Sequence, residues 1–116
     1  MDFSKISVVG LGYIGLPTAA MFASRGIDVV GVDVNPDVVA TINSGGIHII
    51  EPDLDAVVYK SVNEGKLRAT LTPEASQAFL IAVPTPISHD TLEPNLDYIE
   101  AAANSIAPVI ERGNLV

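Results

Sequence analysis

Short apolar runs alternate along this sequence with longer stretches of helical period, and few folds satisfy that alternation. "ISVVG" (6–10), "IDVVGVD" (27–33) and "AFLIAV" (78–83) carry their apolar residues in succession rather than at every second position. A strand with one wet face would alternate, so these read as strands buried on both faces, the habit of parallel sheets. "LRATL" (67–71) is a shorter fourth candidate. Parallel neighbours need a long crossover connection, which the intervening helical stretches supply. The expected class is α/β, a doubly wound parallel sheet with helices on both faces. With 116 residues, 48% of them hydrophobic, the chain has the size of one domain and can build a core for it.

The helices are well punctuated. Residues 13–25 form the first, which Gly26 can stop by turning left-handed. Asn35 can cap a second, with Pro36 at its first position, Val39 and Ile42 on one face and Gly45 closing it. A third begins near Asp53, with Leu54, Val57, Val58, Ser61 and Val62 at helical spacing ahead of Gly65. The fourth is expected over 96–112, capped by Asn95, with Ile99, Ala103, Ile106 and Ile110 on one stripe. Pro108 should bend it, since its missing N–H costs a bond to the Asn104 carbonyl. "RGNLV" (112–116) reads as the opening of a further strand, so the sequence is expected to be a fragment whose sheet is truncated there.

The first crossover carries the most specific signal. Behind the first strand stand Gly10, Gly12 and Gly15 in Gly-x-Gly-x-x-Gly spacing, and the second strand ends at Asp33, 18 residues after Gly15. Strand, glycine loop, helix, strand and acid in this order form the dinucleotide-binding pattern of a Rossmann-type sheet. Gly10 permits a tight turn, and Gly12 lets a pyrophosphate approach bare backbone. Gly15 shares a helix face with Ala19 and Ala23, so that helix can lie close on the sheet.

Amides at the helix start, together with its dipole, favour an anion. That matters in an acidic chain, with a formal charge of −8 and only six Lys and Arg. The same balance argues against nucleic acid as a partner. Asp33 is placed to accept the hydroxyls of an adenosine ribose, although an acid here can also cap the helix that follows. A ribose 2′-phosphate within about 4 Å of it would meet a repulsion of roughly 4 kcal/mol at an effective dielectric of about 20. No arginine follows among Val34, Asn35, Pro36 and Asp37, so NAD is favoured over NADP.

Other features leave alternatives. "IAVPTP" (81–86) ends the strand expected beside the first, across the point where strand order reverses. Pro84 and Pro86 either fix Thr85 as a pre-placed hydrogen-bonding group for a nucleotide or simply end the strand. "IHIIEPDL" (47–54) alternates and reads as a structural segment, a small strand or a lid. His48 and His89 stand without triad or metal-ligand partners and read as surface or satisfied-core residues, and no metal site is expected. Asp28, Asp37, Asp55 and Glu64 read as solvated surface charges. The chain contains no cysteine, hence no thiol nucleophile. It has neither a transmembrane-length apolar run nor a secretory signal, so no membrane partner and a cytoplasmic location are expected.

With "VVGLGYIGLPTAAMFASRG", "VGVDVN", "IHIIEPDL" and "LIAVPTP" in this order, the chain resembles the N-terminal domain of the UDP-glucose/GDP-mannose dehydrogenase family over essentially its whole length. Within that family, "GLGYIGLPTA", "IHIIEPDL", "FLIAVPTP" and "SIAPVI" look most like the bacterial UDP-N-acetyl-D-mannosamine dehydrogenases, which supply an acidic sugar for surface polysaccharides. The resemblance implies NAD-dependent oxidation of a nucleotide sugar at C6, alcohol to carboxylate, in two hydride transfers. It implies that Gly10, Gly12, Tyr13, Ile14 and Gly15 face the pyrophosphate, Asp33 the adenosine ribose, and Val83 and Thr85 the cofactor's edge. Many members carry Lys or Arg five residues after the ribose-binding acid, where this chain has Val38.

The family is understood to use a cysteine thiolate to add to the aldehyde. With no cysteine, and with Lys5, Lys60 and Lys66 in no catalytic position, no catalytic residue is assigned within 1–116. The nucleophile, the acid–base groups and most of the nucleotide-sugar pocket are expected in a central helical region and a second α/β domain, in a full-length protein expected to be a homodimer. Two other readings stay open. One is a non-catalytic NAD-binding module, the other an NAD-dependent dehydrogenase of another substrate, such as UDP-glucose, GDP-mannose or a hydroxyacid.

Overall fold

The computed structural model describes residues 3–87, 90, 92–93 and 95–116, so His89 lies outside the described residues. In chain order the elements are β1 (Lys5–Val9), α1 (Gly15–Ser24), β2 (Asp28–Val32), α2 (Pro36–Asn43), α3 (Leu54–Asn63), β3 (Leu67–Thr70), β4 (Ala78–Ile81) and α4 (Asp97–Ile106), with a 3₁₀ turn over Ala107–Val109. The strands form one parallel sheet in the order β3-β2-β1-β4. Successive crossovers first step one way from β1 and then return past it to β4, so the strand order reverses between β1 and β4 as a doubly wound sheet requires.

Both faces of the sheet are covered. On one, Leu16, Ala19 and Ala23 of α1, Ile42 of α2 and Leu54 and Val58 of α3 pack on Ile6, Val8, Val29 and Leu67. On the other, Ala102 and Ile106 of α4 cover Val9, Val30, Val32 and Phe79. This is why the strands read as unbroken apolar runs.

Local chemistry sets the ends of the elements. Asn35 Oδ1 accepts the Asp37 N–H at 2.9 Å with Pro36 in the first turn, which starts α2 cleanly. At the other end of α2, Asn43 acts as a stub of strand: its Nδ2 donates to the Ala69 carbonyl at 2.9 Å and its Oδ1 accepts the Ala69 N–H at 2.8 Å. The outer edge of β3 is thereby occupied at that residue. The opposite edge of the sheet, β4, takes Leu115 as a single parallel bridge to Ala78, so "RGNLV" touches the sheet where a further strand was expected without forming one.

Three expectations are corrected. The segment 47–54 is not a strand: it runs as bends and a turn, with Ile49 buried, Ile47 packed beneath it and His48 and Ile50 outside. Its alternation reflects side chains reaching the core, with no strand beside it among the described residues. α4 ends at Ile106, before Pro108, and tightens into the 3₁₀ turn instead of running bent to 112. Its buried face is Ala102 and Ile106, while Ile99, Ala103 and Ile110 remain outside. Asn95 does accept the Asp97 N–H at 2.9 Å, but from one residue ahead of the cap position, which Leu96 occupies.

Candidate dinucleotide site

The carboxyl ends of β1, β2 and β4 open onto a cleft of about 590 Å³. Its floor is the loop from β1 to α1, and the three glycines hold that loop for three different reasons. Gly10 lies at φ +99°, and a Cβ there would meet the Ala82 carbonyl oxygen at 2.5 Å, so only glycine lets the turn press against the end of β4. A Cβ on Gly15 would overlap the Gly10 carbonyl. At Gly12 an added Cβ meets no protein atom within 4 Å. The first two are required by the protein's own packing, whereas Gly12 faces open cleft.

The amides there are unspent. Gly10 N–H donates to the Val32 carbonyl at 2.7 Å and Leu11 N–H to Asp33 Oδ2 at 3.1 Å. Among the described residues, the N–H groups of Gly12, Tyr13 and Ile14 have no protein acceptor. The head of α1 has neither a side-chain cap nor an acidic residue in its first turn. Three free donors and the positive end of a helix dipole therefore point into the cleft, a cradle suited to an anion.

Asp33 is the one charged side chain among the described residues lining the cleft. Its carboxylate accepts the Leu11 N–H through Oδ2 and the Asn35 N–H through Oδ1, at 3.1 and 3.0 Å. Neither oxygen is saturated by one bond, so both keep acceptor capacity for a ligand hydroxyl. The turn after β2 and the glycine loop are tied together by this one residue. Among the described residues no Lys or Arg lines the cleft: Val38 is half-buried on the core, and Lys5, Lys60 and Lys66 pair with Glu74, Glu64 and Asp28.

Of the residues expected to hold a cofactor, Gly10, Gly12, Tyr13, Ile14, Asp33 and Val83 line this one cleft. Gly15 lies behind the loop, and Thr85 is exposed beyond the lining. Ala82 and Val83 follow β4 and are not part of it, and Pro84 rather than Thr85 reaches the wall. Two supporting residues escaped the sequence reading. Leu11 is buried under the loop, and a Cβ on Gly31 would come within 2.8 Å of its methyl carbons. A lone glycine inside "VVGVD" was the available signal, since glycine in a strand interior marks close approach. His48 is exposed, away from the cleft, and the described residues hold no His/Cys/Asp/Glu group able to bind a metal. No helix among them is long and apolar enough to cross a membrane.

Residues 4–116 match the UDP-glucose/GDP-mannose dehydrogenase family, NAD binding domain. The chain belongs to that family. Its cofactor is NAD. Across 115 residues it is 60% identical to a UDP-N-acetyl-D-mannosamine dehydrogenase of Campylobacter jejuni, covering 99% of this chain and 28% of that protein. It is 62% identical over 116 residues to an NDP-N-acetyl-D-galactosaminuronic acid dehydrogenase of Ralstonia nicotianae, covering 100% and 27%. The UDP-N-acetyl-mannosamine dehydrogenase Cap5O from Staphylococcus aureus superposes with a TM-score of 0.93 at 46% identity, over 97% of this chain and 28% of that one. The chain thus spans little more than a quarter of the length of the relatives it matches.

Proposed function

We propose that these 116 residues are the cofactor-binding unit of a longer nucleotide-sugar 6-dehydrogenase, and that the whole enzyme oxidises UDP-N-acetyl-D-mannosamine to its uronic acid. The observation that carries the reading is the single cleft in which the free Gly12, Tyr13 and Ile14 amides stand opposite a ribose-ready carboxylate, Asp33. NAD, when bound, supplies the hydride acceptor. The chain's own residues bind and select it. The amides at the head of α1 hold the pyrophosphate, Asp33 accepts the adenosine ribose hydroxyls and repels a 2′-phosphate, and Val83 closes the side towards β4. Gly10 and Gly15 keep the loop in place, and Thr85 joins the cofactor's edge from outside the present lining.

Turning an aldehyde into an acid by hydride removal first needs a nucleophile on the carbonyl carbon. The chain has no cysteine, so we assign that group and the sugar pocket to the part of the enzyme beyond this domain. The similarity to an NDP-N-acetyl-D-galactosaminuronic acid dehydrogenase supports a second substrate reading within the same 2-acetamido class. Steady-state assays of the full-length enzyme with NAD against a panel of UDP- and GDP-sugars separate the two. Highest kcat/KM with UDP-N-acetyl-D-mannosamine is expected, and preference for a sugar without the acetamido group would refute both.

A further inference from the structure

The connection from β3 to β4, residues 71–77, contains no helix. β4 lies three strand positions from β3, about 14 Å at the usual strand spacing, and the connection covers that span as an irregular strap. Its first part enters the cleft. Asp33 N–H donates to the Thr70 carbonyl at 3.1 Å, so Leu71 and Pro73, both lining the cleft, stand on the Asp33 side, where an adenosine would lie.

A strap without secondary structure has to be fixed from outside. Glu74 accepts two bonds from the Arg68 guanidinium of β3, each 2.5 Å, and one from Lys5 Nζ of β1 at 3.3 Å. Ser76 Oγ lies 2.6 Å from Oγ of Ser7, a fully buried serine in the middle of β1. An isolated surface ion pair holds little, but a two-pronged Arg–carboxylate pair with a second cation is the arrangement that fixes geometry. The carboxyl of Glu74 is held at about 2, with the Arg68 bonds as the largest cause, so the clamp stays charged at neutral pH.

Resting on the reading of the cleft as the NAD site, we propose that Glu74 is a positioning residue for the adenosine half of that cleft. By gripping Arg68 and Lys5 it presets the wall formed by Leu71 and Pro73. Ordering that wall in advance removes a cost that binding would otherwise carry.

The test titrates the full chain and its Glu74→Gln variant with ADP-ribose and with inorganic pyrophosphate. ADP-ribose should bind the variant roughly two- to tenfold more weakly, the cost of re-ordering about one side chain. Pyrophosphate, which meets only the amides at the head of α1, should be unaffected. Arg68→Gln releases the clamp from its other side, outside the cleft lining, and should give the same split, so it carries the test if Glu74→Gln does not fold. Equal losses for both ligands, or unchanged ADP-ribose affinity in either folded variant, would overturn the role. If wild type binds pyrophosphate but not ADP-ribose, the cofactor reading itself fails and takes the proposal with it.

Discussion

Replacing Gly10 and Gly12 one at a time should separate packing from binding. Gly12→Ala places a Cβ where no protein atom lies within 4 Å, at a φ outside the left-handed region. Such a replacement stiffens the unfolded chain and contributes about 0.4–1 kcal/mol, so the melting temperature should hold or rise. Gly10→Ala behaves oppositely. Its φ of +99° and the Ala82 carbonyl 2.5 Å from the new Cβ set the left-handed cost of roughly 1–2 kcal/mol as a minimum. At roughly 4 °C per kcal/mol for a domain near this size, a fall of at least about 4–8 °C follows. For binding the order reverses. Gly12→Val fills the space before three free amides and should remove at least two charge-assisted bonds of about 1.5–3 kcal/mol each. At about 1.4 kcal/mol per decade, that is more than a hundredfold in NAD affinity. Circular-dichroism melts and calorimetric NAD titrations of the three variants provide the readouts. A Gly12→Val protein that melts like wild type and binds NAD as tightly would refute the placement of the pyrophosphate at this loop.

Four further outcomes follow from the same geometry. Asp33→Ala should weaken NAD binding, reduce the preference over NADP and cost about 1–3 kcal/mol of stability, because the Leu11 and Asn35 amides lose their acceptor; unchanged NADP rejection would argue against the ribose role. Asn43→Ala strips both bonds from Ala69 and should destabilise by about 1–2 kcal/mol in urea titrations, an effect that a merely decorative surface amide would not produce. Glu74 has its carboxyl at about 2 in the folded chain against an ordinary 4.5, so its contribution is complete above pH 4.5 and disappears as pH falls towards 2. With side chains a third to a half exposed, it amounts to less than about 1 kcal/mol, and Glu74→Gln should flatten the acid limb of a stability–pH curve by that much. Finally, affinity for ADP-ribose should not fall as salt is raised, since no Lys or Arg among the described residues lines the cleft and the chain carries −8; a steep loss with salt would reveal a Lys or Arg contact.

Much of the fold was legible because punctuation and period agreed. Asn35 and Pro36 begin α2, Gly26 stops α1, and the doubly buried strands announce themselves as apolar runs. The parts that were not legible depend on distant neighbours. Period-two alternation over 47–54 gives the correct inside and outside for Ile49 and Ile50, but a strand also needs a partner, and among the described residues this segment has none. Of the stripe Ile99, Ala103, Ile106 and Ile110 expected to be buried at the fourth helix, only Ile106 is, and the sheet takes Ala102 beside it. Within the site, the glycine spacing showed where the loop lies. It could not show that Asp33 reaches back 22 positions to Leu11, since that bond exists only once β1 and β2 are side by side.

That bond changes what Asp33 means. A carboxylate that merely repelled a 2′-phosphate could be exchanged for a small neutral residue to reverse cofactor choice. Here the same carboxylate, through Oδ2, accepts the N–H of Leu11, the residue between Gly10 and Gly12, and so keeps the neighbouring amides aimed into the cleft. Selectivity on the ribose and preorganisation of the anion cradle are coupled through one side chain. Asp33→Ala therefore removes both at once, and the loss of NAD affinity should exceed what two ribose hydroxyls contribute. Asp33→Asn keeps an acceptor for Leu11 while deleting the charge, so it should admit NADP with less damage to the loop. If the two variants lose NAD equally and melt equally, the coupling is absent and Asp33 acts on the ribose alone.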